Sequence, residues 1–413
     1  MTLKSHFYNL LVSCALVLLG CRTEPRSVPE AGRSHPLQEL PTPAGEQSAL
    51  PHLVASDAGS TLLLSWVETL EQGQAALKYT ELQGEGWQEP RLVVRGKDWF
   101  VNWADYPVVA KNGEHYWAHI LKKSSAGTYS YDVQMQLKPR GAAQWQNHLP
   151  LHTDGTHTEH GFVTALPYQD RFFVTWLDGR HTGGRPEGHH GAMTLRAAQV
   201  TPTGGVEDEA LLDARTCDCC QTAAAITPQG PVVVYRDRSE DETRDIAIVR
   251  RVQGEWTAPK PVHHDGWQLN GCPVNGPEIA GLDHHFVVAW FTGAGGTAKV
   301  KLAFSKDAGA SFGRPITVAQ GAVMGRVDVV LLNTDTAVVS YLVSGEAGAT
   351  LQVNKVTSRG TVGPPLPLLA MSDSRASGLP QMERWGEHLF FAWTEVSGEN
   401  KQLRTAKWPL KEW

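Results

Sequence analysis

A short apolar segment that ends in an aromatic residue recurs seven times along the chain. The seven aromatic residues are Trp66, Trp117, Trp176, Tyr235, Trp290, Tyr341 and Trp393. Successive copies are 51 to 59 residues apart, so the repeat is nearly regular. Each copy follows a shorter apolar segment, and most are followed by a polar loop, a third apolar segment and a turn that contains glycine. A unit of about 50 residues with four such segments is typical of a β-propeller blade.

The repeat therefore predicts an all-β fold in which seven four-stranded blades surround one axis, with a six-bladed ring as the alternative. Seven units of this length fill the stretch from residue 50 to residue 413. The recurring aromatic residues are expected to pack between neighbouring blades. The seventh unit ends after three strands, so we expect its outer strand to come from residues 38–48, which would close the ring.

The first 48 residues differ in composition from the rest. Lys4 precedes an apolar run that is too short to span a bilayer and that ends in LLGC. This pattern resembles a bacterial lipoprotein signal, in which Cys21 would carry the lipid, and an ordinary signal peptide is the alternative. The following segment contains five prolines and few large apolar groups, which is typical of a tether. The predicted segments are a signal peptide (1–20), a Pro-rich tether (21–48) and one propeller domain (49–413).

Both interpretations of the N-terminus predict an exported protein. A lipoprotein would be held on the periplasmic side of a membrane or at the cell surface, and its contact with the membrane would be through the N-terminal lipid only. The net charge of −6 argues against a nucleic acid as partner, because binding a polyanion requires a basic surface. We expect a monomer whose partner is a glycan or another small ligand.

The segment SKDAGASF at residues 305–312 resembles the Asp-box of bacterial neuraminidases, also called sialidases. The matching residues are Ser305, Asp307, Gly309 and Phe312, and they fall between the third and fourth strands of a unit, where that family carries the box. NWADYP, WLDGR, CDCCQTAAA and NGCPVNGP together resemble a group of exported bacterial proteins that are called sialidase-like. The resemblance implies a sialidase-type propeller.

If the protein is an enzyme, the resemblance implies a glycoside hydrolase of the exo-α-sialidase type. Sialidases clamp the substrate carboxylate with three arginines and use a tyrosine nucleophile with a glutamate, together with an aspartate acid/base. The Phe/Tyr-Arg-Ile-Pro motif that supplies the first of these arginines has no counterpart in this chain. A non-catalytic glycan-binding protein is therefore the alternative.

Two sets of loops are predicted to meet on one face of the ring. They are the loops that precede the first strand of each blade, which we call the leading loops, and the turns between the second and third strands. Ionisable residues concentrate there in units three and four, and ligand sites favour such points of convergence. The candidate catalytic residues are Asp105, Glu159, Asp178 and Asp237. The candidate ligand-binding residues are His160, Arg180, Arg236, Arg244, Arg326 and Arg375.

Within this set, we expect the two aspartates that follow second strands to balance Arg180 and Arg236, so that the other arginines are free for an anion. A strand-end side chain on a cavity wall contributes little to core packing. Replacing Arg236 by alanine is therefore expected to abolish ligand binding with little change in melting temperature.

Four cysteines are expected to meet where blades four and five adjoin. Cys217, Cys219 and Cys220 lie in the leading loop of unit four, and Cys272 lies in that of unit five. Disulfides are the default in an exported protein, and the preferred pairing joins Cys272 to Cys217 or Cys219. The alternatives are a soft metal ion, Cu or Zn, completed by His157 or His160, and a reactive thiol. We predict no other cofactor.

These features together predict a lipid-anchored, sialidase-like propeller that recognises a small anionic or sugar-containing ligand at the axial cavity. A glycan-binding protein without catalysis and a lipoprotein that handles metal through its thiolates are the alternatives. Carboxylates about 5 Å apart at the cavity would favour a glycosidase, whereas arginines alone would favour a binding protein.

Overall fold

The computed structural model describes residues 37–56, 60–183 and 191–412. The signal peptide predicted for residues 1–20 and the lipid-carrying Cys21 lie outside this part of the chain. Within it, the strands form seven antiparallel sheets, which confirms the prediction of seven blades. Blades one and four each contain a short additional strand. In the same part of the chain, no helix has the length and apolarity needed to cross a bilayer.

The strands are numbered along the chain, and the first of them, β1 (Gln38–Leu40), belongs to blade seven. Blade one contains β2 (Ser48–Ser56), β3 (Thr61–Thr69), β4 (Ala75–Gln83), β5 (Gly86–Trp87) and β6 (Arg91–Gly96). Blade two contains β7 (Val109–Asn112), β8 (His115–Lys123), β9 (Tyr131–Lys138) and β10 (Gln146–Pro150). Blade three contains β11 (His160–Tyr168), β12 (Arg171–Asp178), β13 (Met193–Val200) and β14 (Val206–Thr216).

The remaining blades follow the same order. Blade four contains β15 (Ala223–Thr227), β16 (Gly230–Arg236), β17 (Ile246–Val252), β18 (Glu255–Trp256) and β19 (Lys260–Pro261). Blade five contains β20 (Glu278–Leu282), β21 (His285–Thr292), β22 (Lys299–Ser305) and β23 (Ile316–Gln320). Blade six contains β24 (Val323–Asn333), β25 (Thr336–Gly345), β26 (Gly348–Thr357) and β27 (Leu366–Met371). Blade seven contains β28 (Gln381–Trp385), β29 (His388–Ser397) and β30 (Asn400–Pro409). Single turns of 3-10 helix occur at Glu71–Gly73, Ala294–Gly296, Arg375–Ser377 and Leu410–Glu412.

The hydrophobic core lies between the blades. Each of the seven apolar clusters in the described residues joins two consecutive blades, and the last one joins Leu62 of blade one to Leu403 of blade seven. Second strands are apolar on both faces because a neighbouring blade covers each face, as in RFFVTWLD of β12, where seven of eight residues are buried. Burial of this apolar area is the main favourable term for such a ring.

The seven recurring aromatic residues are all buried between blades, as predicted. Six of them occupy the sixth position of a second strand, but Trp117 is the third residue of β8. The sixth position of β8 is Ile120, which is also fully buried. The position in blade two that corresponds to the other six aromatic residues is therefore Ile120 and not Trp117. The sequence analysis placed it three residues too early because it searched for an aromatic residue at the end of each apolar segment.

Blade seven is completed by the N-terminal strand. β1 pairs with β30, with Gln38 opposite Lys407 and Leu40 opposite Thr405. The Thr405 hydroxyl also donates to the Leu40 carbonyl at 3.2 Å. The outer strand of the last blade thus comes from the segment predicted for it, and the two ends of the ring are joined.

Candidate functional site

The leading loops form one face of the ring, and the axial cavity lies beneath them. The cavity has a volume of about 710 Å³ and is lined mainly by first strands. Gln221 closes its upper end, because its amide donates to the Ala104 carbonyl at 2.6 Å and accepts from the Gly276 amide at 3.2 Å. A Cβ at position 276 would lie 2.3 Å from the Gln221 carbonyl, so this contact requires glycine. At the other end, Leu282 is exposed. Asp105 of the leading loop of blade two also lines the cavity, so the face and the cavity adjoin there.

Asp105 and Glu159 of the face share one phenol. The Tyr131 hydroxyl lies 2.7 Å from Glu159 Oε1 and 3.3 Å from Asp105 Oδ2, so the two carboxylates are separated by no more than the sum of these distances. The Phe162 amide donates to Asp105 Oδ1 at 2.7 Å. Gly161 permits this approach, because a Cβ there would lie 2.0 Å from Asp105 Oδ2. Asp105 and Tyr131 are buried, whereas Glu159 is only half-buried.

Burial is the main cause of the pKa shifts of Glu159, Asp105 and Tyr131. It raises the pKa of Glu159 to about 7, although the hydrogen bond from Tyr131 acts in the opposite direction. Burial also raises the pKa of Asp105 well above its usual range, against the hydrogen bond from the Phe162 amide. The pKa of Tyr131 is raised by burial and by the two carboxylates, so the phenol stays protonated. Near neutral pH, Glu159 is therefore close to half protonated.

His160 belongs to a network between blades two and three, formed by His152, Asp154, His160, Asp178 and Arg180. The two imidazoles stack with their centroids 3.9 Å apart. His152 Nε2 accepts from the Val133 amide at 3.2 Å, so its Nδ1 carries the proton that binds Asp154 at 2.7 Å. The Nε2 atom of His160 lies 3.4 Å from Asp154 and 3.8 Å from Asp178.

The cation of this network is Arg180. Its Nε and Nη2 atoms each lie 2.7 Å from the Asp178 carboxylate, which also accepts from the Trp176 indole. Burial alone would raise the pKa of Asp178, but the hydrogen bond from Arg180 and the nearby His160 outweigh it and lower that pKa. The predicted pairing of Asp178 with Arg180 is thus present. Asp178 is fully buried, so the structure does not offer it to a substrate as the sequence analysis expected.

Arg236 is a structural side chain and not a free ligand-binding group. Its guanidinium donates to the carbonyls of Asn275, Arg244 and Phe291 at 2.9, 2.6 and 2.7 Å. It also lies 4.9 Å from the ring of Trp267. The expected balance by Asp237 is wrong, because Arg236 meets backbone carbonyls and Asp237 Oδ1 accepts from the Arg238 amide at 2.6 Å.

Arg326 and Arg244 are also engaged. Arg326 donates to the Ser377 hydroxyl and the Gly378 carbonyl at 2.8 Å, and its guanidinium lies 5.1 Å from the Trp103 ring. Arg244 donates to Glu242 at 2.6 Å and to Cys217 Sγ at 3.1 Å. The three-arginine clamp that the sialidase resemblance implied is therefore not assembled from these positions. Of the predicted arginines, Arg375 is exposed on the face.

The four cysteines meet as predicted, but they are free thiols. Cys217 Sγ lies 3.5 Å from Cys220 Sγ and 3.9 Å from Cys219 Sγ, well beyond the roughly 2.05 Å of an S–S bond. Cys272 contacts Cys219 from blade five. The disulfide that we expected between the two loops is therefore not formed in the structure.

Three carboxylates that the sequence analysis missed line the axial cavity. They are Glu278, Asp328 and Glu383, each on a first strand. Glu278 and Asp328 pair with equivalent positions of their second strands, and Glu383 lies two residues further along its own strand. Burial and the neighbouring carboxylates raise the pKa of Glu278 well above its usual range, and burial raises those of Asp328 and Glu383 to about 8 and about 7. An acidic residue in an otherwise apolar first strand, as in PEIAG, is the signal that could have identified them.

Tyr131 was also missed, because it opens a third strand and carries no motif. The segment that was compared with an Asp-box forms the turn between β22 and β23. The Ser305 hydroxyl donates to Asp307 at 2.8 Å, and Asp307 accepts from the Ser311 amide at 2.8 Å. These bonds stabilise the turn on the side of the ring away from the leading loops.

No protein-family model and no curated protein sequence matches the chain. Its fold is similar to that of the NanB sialidase from Streptococcus pneumoniae, with 12% identity, a TM-score of 0.48, and coverage of 91% of this chain and 71% of that one. It is also similar to the α-L-arabinofuranosidase Arb93A from Fusarium graminearum, with 11% identity, a TM-score of 0.49, and coverage of 92% and 99%. A PL25 ulvan lyase shows 13% identity, a TM-score of 0.48, and coverage of 75% and 79%. The similarity concerns the architecture, and sialidases are among the proteins that share it.

Proposed function

We propose that this protein is a carbohydrate-active propeller whose site lies on the face of the leading loops, with Glu159 as its acid–base group. The observation that carries the proposal is the hydrogen-bonded chain from Asp105 through Tyr131 to Glu159. Export and attachment of lipid to Cys21 are part of the same proposal and rest on the LLGC sequence alone.

The arrangement suits proton transfer at neutral pH. The Tyr131 hydroxyl donates to Glu159 Oε1 at 2.7 Å and also lies within hydrogen-bonding distance of Asp105 Oδ2, at 3.3 Å, so one phenol joins the two carboxyl groups. Only Glu159 is partly open to solvent, so it is the group that touches a ligand, and the buried Tyr131 is a positioning residue. A carboxyl group with a pKa of about 7 can give a proton to a glycosidic oxygen and take one back from water. A second carboxylate on the face, Asp218, is held by Arg238 at 3.0 Å.

The arginines favour a neutral sugar over a sialic acid. A substrate carboxylate is best bound by guanidinium groups that are free to form bidentate contacts. Those of Arg236 and Arg326 are committed to backbone carbonyls, as described above. Trp103 is half-buried on the face and offers an apolar surface of the kind on which sugar rings pack. The ligand class supported best is thus an uncharged glycan.

Replacing Glu159 by glutamine should lower kcat on a neutral aryl glycoside about 10²–10⁴-fold with little change in KM or melting temperature, since the amide cannot transfer a proton. In the wild type, kcat/KM should fall as the pH rises through about 7, because the acid form of Glu159 is lost. The measurement is release of aglycone from a panel of neutral and acidic aryl glycosides between pH 5 and 9.

Glu240→Gln is the matched control, because Glu240 is an exposed glutamate in a loop of the same face. It should leave the kinetics unchanged. Equal activity of the Glu159 and Glu240 variants would rule out this acid–base role. A third outcome is that the wild type binds a sugar saturably, that Glu159→Gln binds it more weakly, and that neither of these two proteins cleaves it. The site would then be a binding site only.

A further inference from the structure

The three cysteines of the blade-four leading loop have the spacing of metal ligands. The sulfurs of Cys217, Cys219 and Cys220 all lie within 4.8 Å of one another, with separations from Cys217 of 3.5 and 3.9 Å. Metal–thiolate bonds of about 2.3 Å place ligand sulfurs about 3.8–4.0 Å apart in tetrahedral or trigonal sites. The three sulfurs can therefore bind one ion with little movement.

The backbone fixes this loop from both sides. It follows β14 directly, and the Cys217 amide donates to the Arg236 carbonyl at 3.0 Å. Gln221, the next residue after the loop, joins the leading loops of blades two and five across the axis. Cys217 and Cys220 are buried and Cys219 is half-buried, so the pocket is enclosed but can be reached from the face.

Charge around the sulfurs favours thiolates. Arg244 Nη1 lies 3.1 Å from Cys217 Sγ, and this arginine is itself buried. Three thiolates around a monovalent ion carry two net negative charges, which a guanidinium at contact distance partly balances. The carboxylate within the loop, Asp218, pairs with Arg238 and does not compete for the ion.

We propose that Cys217, Cys219 and Cys220 form a three-coordinate thiolate site for a soft metal ion, with Cu(I) as its occupant. Thiolate sulfur selects Cu(I) and Zn(II), and structural zinc sites use four protein ligands. Of the two histidines expected to supply a fourth ligand, His160 is directed into the network with Asp154 and Asp178, and His157 is exposed. Cys272 is exposed and contacts only the outer side of the cluster at Cys219, so it shields the site without completing it.

Binding requires no oxidant. Each thiol that ligates Cu(I) loses its proton to solvent as the S–Cu bond forms, and neither sulfur nor copper changes oxidation state. The site is independent of the acid–base group at Glu159, so it adds metal binding to the function proposed above.

The test is a titration of the full-length, reduced chain with Cu(I) under anaerobic conditions against the chromogenic chelator bathocuproine disulfonate. One Cu(I) per chain should bind, with a thiolate-to-copper charge-transfer band in the ultraviolet. Replacing Cys217, Cys219 or Cys220 by serine removes one of three ligands, so each change should weaken binding by more than the roughly 10–100-fold that the loss of an outer-shell partner costs. Cys272→Ser should weaken it less than about 10-fold.

Two further variants test whether cysteines outside the two loops bind the ion and whether the charge of Arg244 contributes to binding. Cys14→Ser/Cys21→Ser removes the other cysteines of the chain and should bind Cu(I) as the wild type does. Arg244→Gln leaves every sulfur in place and should weaken binding, with the fold monitored by circular dichroism. Wild-type affinity in the three loop variants, or loss of binding in the Cys14/Cys21 variant, would overturn the site. Stoichiometric Zn(II) binding that displaces Cu(I), or equal losses from all four loop cysteines, would overturn the assignment of three-coordinate Cu(I).

Discussion

The free energy of unfolding should fall as the pH rises from about 6.5 to about 8, because the carboxyl groups of the axial cavity hold their protons in the folded protein while they are ionised in the unfolded chain. The pKa of Asp328 is raised to about 8 and that of Glu383 to about 7, and burial with the neighbouring carboxylates raises that of Glu278 well above its usual range. In the unfolded chain these groups ionise near pH 4. The folded state therefore binds more protons over this window, and each group lowers stability by up to about 1.4 kcal/mol per pH unit.

Two buried histidines offset part of this loss of stability below pH 6.5, so the decrease is steepest above it. Burial lowers the pKa of His52 to about 4 and that of His119 to about 3, so their contribution to stability rises with pH up to about 6.5 and opposes the carboxylates there. Above pH 6.5 both histidines are neutral in either state. The slope that remains is then that of the acids.

Glu278→Gln isolates one of these carboxylates. Glutamine has the shape of protonated glutamate but cannot ionise, so the variant should exceed the wild type by about 1–3 kcal/mol at pH 8 and match it at pH 4. Urea denaturation at a series of pH values measures this difference. The exposed Glu387 provides the control, since Glu387→Gln should show the same pH dependence as the wild type. Identical slopes for all three proteins would show that folding does not raise the pKa of Glu278.

Arg236→Ala should lower the free energy of unfolding by about 3–5 kcal/mol, because hydrogen bonds from a charged group contribute about 1.5–3 kcal/mol each and three would be lost together. The guanidinium is buried and joins the carbonyls of Asn275, Arg244 and Phe291, which would all lose a donor. This expectation reverses the one drawn from the sequence, where the same change was expected to leave the melting temperature nearly constant. Chemical denaturation of the purified variant is the measurement.

Arg236→Lys keeps the positive charge at position 236 but removes the planar set of guanidinium donors, so it tests the two contributions to stability separately. An ammonium group cannot reach three divergent carbonyls at once, so lysine should recover only part of the lost stability. Arg375→Ala, at an exposed arginine of the same face, should change stability by no more than about 0.5 kcal/mol. A variant with alanine at 236 that unfolds at the wild-type denaturant concentration would show that these hydrogen bonds add nothing to the fold.

The fold followed from the sequence because its cause is local. Each repeat unit shows the alternation of apolar strands and turns in its own sequence, and the period is nearly constant. A unit cannot bury its apolar faces without neighbours on both sides. Ring closure by residues 38–40 followed from a count of three strands in the last unit. Even the misaligned repeat in blade two, at Trp117 and Ile120, did not alter the number of blades.

The polar chemistry was decided by the tertiary structure. Sequence analysis placed Asp105 and Glu159 on the same face, but Tyr131, which joins them, comes from a third strand without a motif. Two of the partners of Arg236, the carbonyls of Asn275 and Phe291, lie 39 and 55 residues further along the chain. Because they are backbone groups, their residue types do not indicate that they bind an arginine. A repeat of apolar segments determines which faces are buried, since burial depends on side-chain type and spacing. Whether an arginine is free, or a cysteine is paired, depends on distances between loops of different blades, and only the closed ring sets those distances.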